Sequence, residues 1–460
     1  FRRVLFRSDP RFVSRFAIYH QRYSTNTFPT WKLAQPFRML AHNGEINTLK
    51  GNVNWMRSHE IRMASSAFGE MAEDIKPIVP AGSSDSAALD AVFEVMVRSG
   101  RSAPMTKTML VPESWSKATT DMPKAWADMY AYCNAVMEPW DGPAALAMTD
   151  GRWVCGGLDR NGLRPARYWV TEDGLVVLGS EVGVLDIEPS AIVRKGRLEP
   201  GRMFLVDTVG RRIVDDDEIK GELAAEHPYA EWLHAGMIEL ADLPARHRVP
   251  FDHDVLVRRQ QTFGYTGEEL TLLLRPMATG GAEATGSMGN DAPLAAFSAR
   301  SRSLFDYFTQ LFAQVTTPPL DAIREELVTC MARAIGPEQN LFHPGPASCR
   351  QVVLPNPVID NDELAKLIHI NDDGDMPGFA ATVISGLYEV DGGEDALRDA
   401  LEAVADDPSV RAVVLASTGK AFCVGQDLRE HAEALRAGDD GGIGADALST
   451  VPEHYNRIAA

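Results

Sequence analysis

The sequence has few cysteines, and none of them are paired at a spacing that builds a metal or redox centre. Cys133, Cys155, Cys330, Cys349 and Cys423 stand singly, which argues against zinc, iron–sulfur or C-x-x-C chemistry in this stretch and fits a reducing, cytoplasmic setting. Long apolar runs are also missing. Nothing approaches the roughly 20 residues that cross a bilayer, and the basic start FRRVLFRS has no apolar core of a signal peptide. Positive charge is scarce: 45 basic residues against 64 acidic ones leave a net charge of −19. Binding phosphates needs a dense basic surface, so no nucleic-acid partner is expected. MATGGAEATGSMGN is glycine-rich but lacks the G-x-x-x-x-G-K-[ST] pattern, and reads as a flexible surface loop rather than a phosphate cradle.

What remains is ordinary for globular protein: 45% hydrophobic and 24% charged residues in 460, enough for two or three domains. Charge is uneven along the chain. Residues 351–460 hold 7 basic and 21 acidic residues, whereas residues 1–60 hold 10 basic and 3 acidic. Residues 1–8 match no pattern that follows and are expected to carry no function. Residues 15–49 read as short extended segments with polar turns, and 50–66 as a helix. SSDSAALDAVFEVMVRSG places a serine and an aspartate ahead of apolar Leu89, Val92, Phe93 and Met96, the spacing of a capped amphipathic helix. AALAMTDGRWVCGG and PARYWVTEDGLVVLGS read as two hairpins with TDG and EDG turns. Beyond about residue 245 the patterns SLFDYFTQLFAQV and DAIREELVTCMARAI predict helices.

Four positions far apart in the chain suggest one chemistry. Arg22 in HQRYSTNT offers a fork for an α-carboxylate, and Asp85 in AGSSDSAALD offers a partner for an α-ammonium. Asn43 and Gly44 in AHNGEINT supply a side-chain amide and a backbone N–H for an oxygen that becomes negative when an amide is attacked. Each has a plainer reading: Asp85 as a helix cap, Arg22 as a surface arginine, Asn43-Gly44 as a turn dipeptide. In LDRNGLRP, residues Asp159, Arg160 and Arg164 suggest an anion site, but Gly157, Gly162 and Pro165 favour a buried turn network.

These motifs, with GSSDSAALD, EPWDGPAALAMTDGRWVCGGLDRNGLRPARY, TFGYTGEEL and LFDYFTQLFAQVTTPPLDAIREELV, resemble the glutamate synthase large subunit. The resemblance is to its class II glutamine amidotransferase domain, an N-terminal-nucleophile type, and to its central domain. It implies an α/β fold with a layered αββα domain followed by an α/β central domain. It also implies that Arg22, Asp85 and, less directly, Thr25 bind glutamine while Asn43 and Gly44 form an oxyanion hole. The family's nucleophile is a cysteine at the mature N-terminus. No cysteine precedes Cys133 here, and Cys133 lies on an apolar helical stretch with nothing to activate its thiol. The sequence is therefore expected to lack glutaminase turnover on its own. No metal and no cofactor are expected in these residues. The family's FMN and iron–sulfur cluster belong to a downstream region, and its partners beside glutamine are a small electron-transfer subunit or ferredoxin.

Near the C-terminus, DDPSVRAVVLASTGKAFCVGQDL resembles the crotonase (enoyl-CoA hydratase) family. That resemblance implies a β-turn-α fragment with an oxyanion donor near Val424. The second donor is not represented, so Gly425 and Asp427 are expected to be remnants and Cys423 a packed residue. The expected division is 1–8 extraneous, 9–244 amidotransferase, 245–400 incomplete central domain and 401–460 crotonase-like, with a seam at 395–408 marking a truncated, chimeric chain. The alternatives are a non-catalytic glutamine-binding module and, least favoured, an acyl-CoA enzyme residing in the tail.

Overall fold

The TDG and EDG turns each close an antiparallel hairpin, as the alternating patterns require, but the two hairpins join different sheets. The computed structural model describes residues 9–11, 13–21, 30–114, 122–181, 183–245, 253–281, 295–308, 332–356, 358–381, 393–405, 410 and 413. Strands β1 (Leu40–Gly44), β2 (Ala144–Thr149) and β3 (Trp153–Leu158) precede β4 (Arg167–Thr171), β5 (Val176–Gly179) and β6 (Ile192–Arg197). Then come β7 (Met203–Asp207) and β8 (Arg212–Val214). One sheet runs β1-β2-β3-β7-β8 and a second runs β5-β4-β6. All pairings within both are antiparallel, with Met148 opposite Cys155 in the first hairpin and Tyr168 opposite Leu178 in the second.

Helices cover one face of the five-stranded sheet. They are α1 (Leu49–Glu60), α2 (Asp85–Arg98), α3 (Ala103–Leu110), α4 (Lys124–Val136), α5 (Asp216–Ala225) and α6 (Tyr229–Gly236). The predicted stripe of α2 is the buried one: Leu89, Val92, Phe93 and Met96 pack in a single cluster with Leu40, Leu146, Met148 and Leu205 of the sheet. Each such side chain contributes roughly 1.5–3 kcal/mol of burial. The opposite sheet face meets the smaller sheet through Leu158, Phe204, Tyr168 and Leu178, with the Tyr168 and Phe204 rings stacked at 4.4 Å. The described layers are thus helices, sheet, sheet. The second helical layer of the expected αββα order is not among the described residues. Helix α1 ends at Glu60, short of the expected residue 66.

Among the described residues packed in these layers, three cationic side chains are buried. Lys107 of α3 is fully buried and donates to the Gly201 carbonyl at 2.7 Å. Burial, reinforced by Lys220, pushes its pKa down to about 8, against the pull of Asp216, Glu113 and Asp159. Lys220 of α5, 1% exposed, sits 2.6 Å from Glu113 and 2.5 Å from Asp216, and Asp216 also accepts from Met203 N at 2.8 Å. A buried lysine persists only where carboxylates and carbonyls replace its water. These contacts do that and fasten α5 to β7.

The third cation is His59 on α1. It is buried, and both ring nitrogens are engaged: Nδ1 lies 2.6 Å from Glu338 and Nε2 lies 2.9 Å from Glu138. Burial lowers its pKa, but the two carboxylates outweigh that and raise it to about 10. The imidazolium so fixed is one point in a series that holds residues 338–351 against α1, α4 and neighbouring loops of the same unit. Asn340 brackets the Ala64 backbone at 2.6 and 3.3 Å. Arg101 donates to the Leu341 carbonyl, Gly345 N donates to Tyr132 at 3.0 Å, and Gln351 donates to the Ala135 carbonyl at 2.7 Å.

The chain divides into two units, one of residues 1–237, 285–331 and 338–351, and the other of residues 238–284, 332–337 and 352–460. The second contains all but the first residues of β9 and β11 in a small sheet of order β10-β11-β9, formed from β9 (Met237–Glu239), β10 (Arg333–Ile335) and β11 (Gln351–Leu354). Residues 333–335, expected to end a helix, are therefore extended. Residues 321–331 of that predicted helix lie outside the described residues, and so does most of SLFDYFTQLFAQV, of which Leu304–Tyr307 forms a 3-10 turn. Helix α7 (Asn361–Ile368) begins at a capping box of Asp360 and Glu363, and Leu367 joins Leu240, Leu243, Val352 and Phe379 in a separate core. Residues 414–460, with the crotonase-like Val424, Gly425 and Asp427, lie outside the described residues.

His59 sets a measurable pH dependence. Its folded pKa lies above the ordinary 6.5, so its contribution is complete below pH 6.5 and is lost as pH rises toward 10. Between about pH 6.5 and 8 the loss is about 2 kcal/mol. Lys107, with a lowered pKa, adds an opposite slope only above about pH 8. Urea unfolding of the wild type and of His59→Ala should show this slope in the wild type alone. The variant, left with two facing carboxylates, should be less stable at pH 6.5 by about 3 kcal/mol.

Candidate active site

Strand β1 lies at the edge of its sheet, so half of its backbone groups face away from β2. Alternation shows which half. Thr149 N donates to Met39 O and Glu45 N to Pro143 O, so residues 39, 41, 43 and 45 bond toward β2. Ala144, opposite Gly44, turns its own N–H and carbonyl to Asp159, at 2.9 Å each. The N–H groups of Leu40, His42 and Gly44 therefore point to the open edge. Leu40 N is taken by Asp90 at 3.0 Å and His42 N by Gln35 at 2.6 Å. Among the described residues nothing accepts from Gly44 N.

Beyond Gly44 the chain is held close to the segment before β2. Glu45 N donates to Pro143 O and Asn47 N to Asp141 O, both at 2.8 Å. Only glycine fits at the two crossing points. A Cβ on Gly44 would lie 1.8 Å from Pro143 O, and one on Gly142 would lie 2.0 Å from Glu45 O. Asn43, one residue earlier on the opposite face, is exposed.

Asp85 opens α2, yet it does not cap it. Ser84 is the cap, accepting from Ala87 N at 3.1 Å. The Asp85 carboxylate instead turns to the loop after β1, accepting from Ile46 N at 2.9 Å and from the Ser86 hydroxyl at 3.2 Å. Its side chain keeps 22% exposure, leaving lone pairs for a cation. The structure thus brings Asp85 beside the strand end that carries Asn43 and Gly44. Arg22 and Thr25 lie outside the described residues.

The residue that sequence reasoning missed is His42. Its side chain is fully buried between α2 and the strand end, with Nδ1 2.8 Å from Ser86 Oγ and 3.9 Å from Asp85 Oδ2. Burial pushes its pKa below the ordinary value, Asp85 and the Pro143 carbonyl pull it upward, and Arg164 and His20 add to the lowering. The imidazole is therefore neutral at pH 7. Its position directly before Asn43-Gly44 was the available signal, since it shares the face of Gly44.

Two other candidates resolve into structure. Asp159 is 2% exposed and receives N–H groups from Ala144, Asn161 and Leu163, while Arg160 pairs with Asp141 at 2.6 Å. This is the turn network that LDRNGLRP predicted. Cys133 is 1% exposed, and burial pushes its thiol up to about 12. Cys155 and Cys349 are likewise buried and raised, so none of these three is a poised nucleophile. Among the described residues there is no cluster of side chains that could hold a metal ion and no helix long and apolar enough to cross a membrane.

Residues 6–232 match the class-II glutamine amidotransferases, and residues 258–426 match the glutamate synthase central domain. The second match runs past the expected seam and into the stretch that resembles crotonases. The large chain of NADPH glutamate synthase from Azospirillum brasilense is 50% identical over 402 residues, 86% of this chain and 26% of that protein. The corresponding chain from Bacillus subtilis is 48% identical over 360 residues, 78% of this chain and 24% of that protein. The ferredoxin-dependent glutamate synthase of Spinacia oleracea chloroplasts is 44% identical over 364 residues, covering 78% and 22% respectively. The chain spans about a quarter of the length of these curated relatives. On these matches it holds a class-II glutamine amidotransferase region followed by a glutamate synthase central-domain region.

The closed space at Gly44 makes a sharp test. Gly44→Ala drives a methyl into the Pro143 carbonyl, and the strand end must move. Chemical denaturation should show a loss on the order of 3 kcal/mol. Gly51→Ala, on α1 with open space around its Cα, should change stability little or raise it slightly.

Proposed function

We propose that this chain binds free L-glutamine at the edge of β1, as the glutamine-holding part of a glutamate synthase large chain. The observation that carries the reading is the attachment of Asp85 to the loop after β1 through Ile46 N, which sets a carboxylate beside an outward-facing Gly44 N–H. The substrate's α-ammonium pairs with Asp85, its α-carboxylate with Arg22 with help from Thr25, and its amide oxygen lies against Asn43 and the Gly44 N–H. Such donors are aimed at charge that develops during attack on the amide, a role worth roughly 3–4 kcal/mol each in comparable sites.

In the complete enzyme, ammonia released from glutamine is used with 2-oxoglutarate to make glutamate, and an electron-transfer subunit or ferredoxin supplies reducing equivalents. Relatives that are NADPH, NADH and ferredoxin-dependent glutamate synthases support an electron-donating partner without choosing one. FMN and an iron–sulfur cluster belong, in this reading, to the downstream part of that enzyme. Cys133, Cys155 and Cys349 are buried with raised thiol pKa values, so this reading assigns the nucleophile to none of these three. The central-domain match up to residue 426 favours a continuous glutamate synthase segment over an acyl-CoA activity in the tail.

Titration calorimetry of the 460-residue chain should show saturable glutamine binding and no ammonia release above background. Asp85→Asn keeps an acceptor for Ile46 N but removes the charge, and should weaken binding by roughly tenfold to a hundredfold. Absence of binding at millimolar glutamine would sink the proposal.

A further inference from the structure

The buried side of the candidate site contains an imidazole set between α2 and the segment before β2. His42 Nδ1 is engaged by Ser86, while Nε2 is buried on the side of the Pro143 carbonyl, which favours a proton on the ring. That nitrogen occupies the space where a Gly44 side chain would begin: a Cβ built there would be 2.8 Å from it. Ser86 also donates to Asp85 Oδ1 at 3.2 Å. One rigid ring therefore spans the gap between the first turn of α2, where the ammonium partner sits, and the backbone of Gly44.

We propose that His42 is a positioning residue, a spacer that fixes the distance between the Asp85 end of the site and the Gly44 N–H, and so aims that N–H at the substrate's amide oxygen. The inference rests on the glutamine-binding reading and adds a division of labour within it. The geometry is restrictive from both sides. Pro143 O and Glu45 N hold the chain from the β2 side at 2.8 Å, and the imidazole supports the same peptide from the α2 side. Ser86, itself 5% exposed, keeps the ring from rotating. Without the ring, a cavity opens beneath Gly44 and the peptide can relax into it. Shifts well under 1 Å are enough to spoil an oxyanion donor, because its value depends on a preset direction.

Binding of three ligands separates positioning from bulk stability. L-Norvaline carries the α-groups of glutamine with a methyl in place of the amide, and reads the Asp85 end alone. L-Glutamine adds the amide, and L-homocysteate places a tetrahedral anionic sulfonate at the same point. Wild-type chain should bind the latter two more tightly than norvaline. In His42→Ala and His42→Asn, the second of which retains a group able to meet Ser86, norvaline affinity should stay within about twofold. Glutamine and homocysteate should each weaken roughly tenfold. An equal loss for all three ligands in both variants, or no loss for any, overturns the proposal. If wild-type chain binds none of the three, the glutamine reading itself fails and this inference falls with it.

Discussion

The hydrogen bond from Ile46 N to the Asp85 carboxylate ties together the two halves of the candidate site, beside the His42–Ser86 contact. Asp85 arrives on a helix held by its apolar stripe and its own serine cap; Gly44 arrives on a strand held by β2. Neither element by itself determines where the other's polar groups lie. Because Ser84 satisfies the helix end, the Asp85 carboxylate can reach outward to the loop, and the acid that fixes the loop is the acid with exposure left for a ligand. The pair of glycines at 44 and 142 permits this meeting by allowing two backbones to touch.

Much of this was readable before the fold was known. The serine and aspartate ahead of an apolar helical stripe gave the start of α2 correctly, and TDG and EDG gave both hairpins. The turn network around Asp159 and the burial of Cys133 also followed from local pattern. The separation of the hairpins into two sheets did not, because it depends on β3 pairing with β7 across some fifty residues and period-two alternation says nothing of partners. Arg333–Ile335 looked helical because a short apolar run does not distinguish strand from helix. His42 and His59 are isolated histidines in sequence. What makes one a spacer and the other a doubly held cation is supplied by Ser86, Glu138 and Glu338, residues dozens to hundreds of positions away.

The unit tolerates charge inside because each buried cation is given more than one acceptor. His59 has two carboxylates, Lys220 has Glu113 and Asp216, and Lys107 has a carbonyl with acids at longer range. These contacts are directional where the methionine-rich core is not. Burying Met56, Met96, Met109 and Met129 fills volume with adaptable side chains, so unique placement of helices on the sheet falls to the polar ties.

The edge position of β1 has an outcome for the molecule as a whole. An uncovered strand is a template on which another chain can add itself, and proteins ordinarily blunt such margins. Here Asp90 and Gln35 impersonate a neighbouring strand, occupying the groups of Leu40 and His42 and interrupting the ladder before an intruder can register. Among the described residues, the N–H of Gly44 is what remains of that margin, a single group rather than a ladder for a foreign strand.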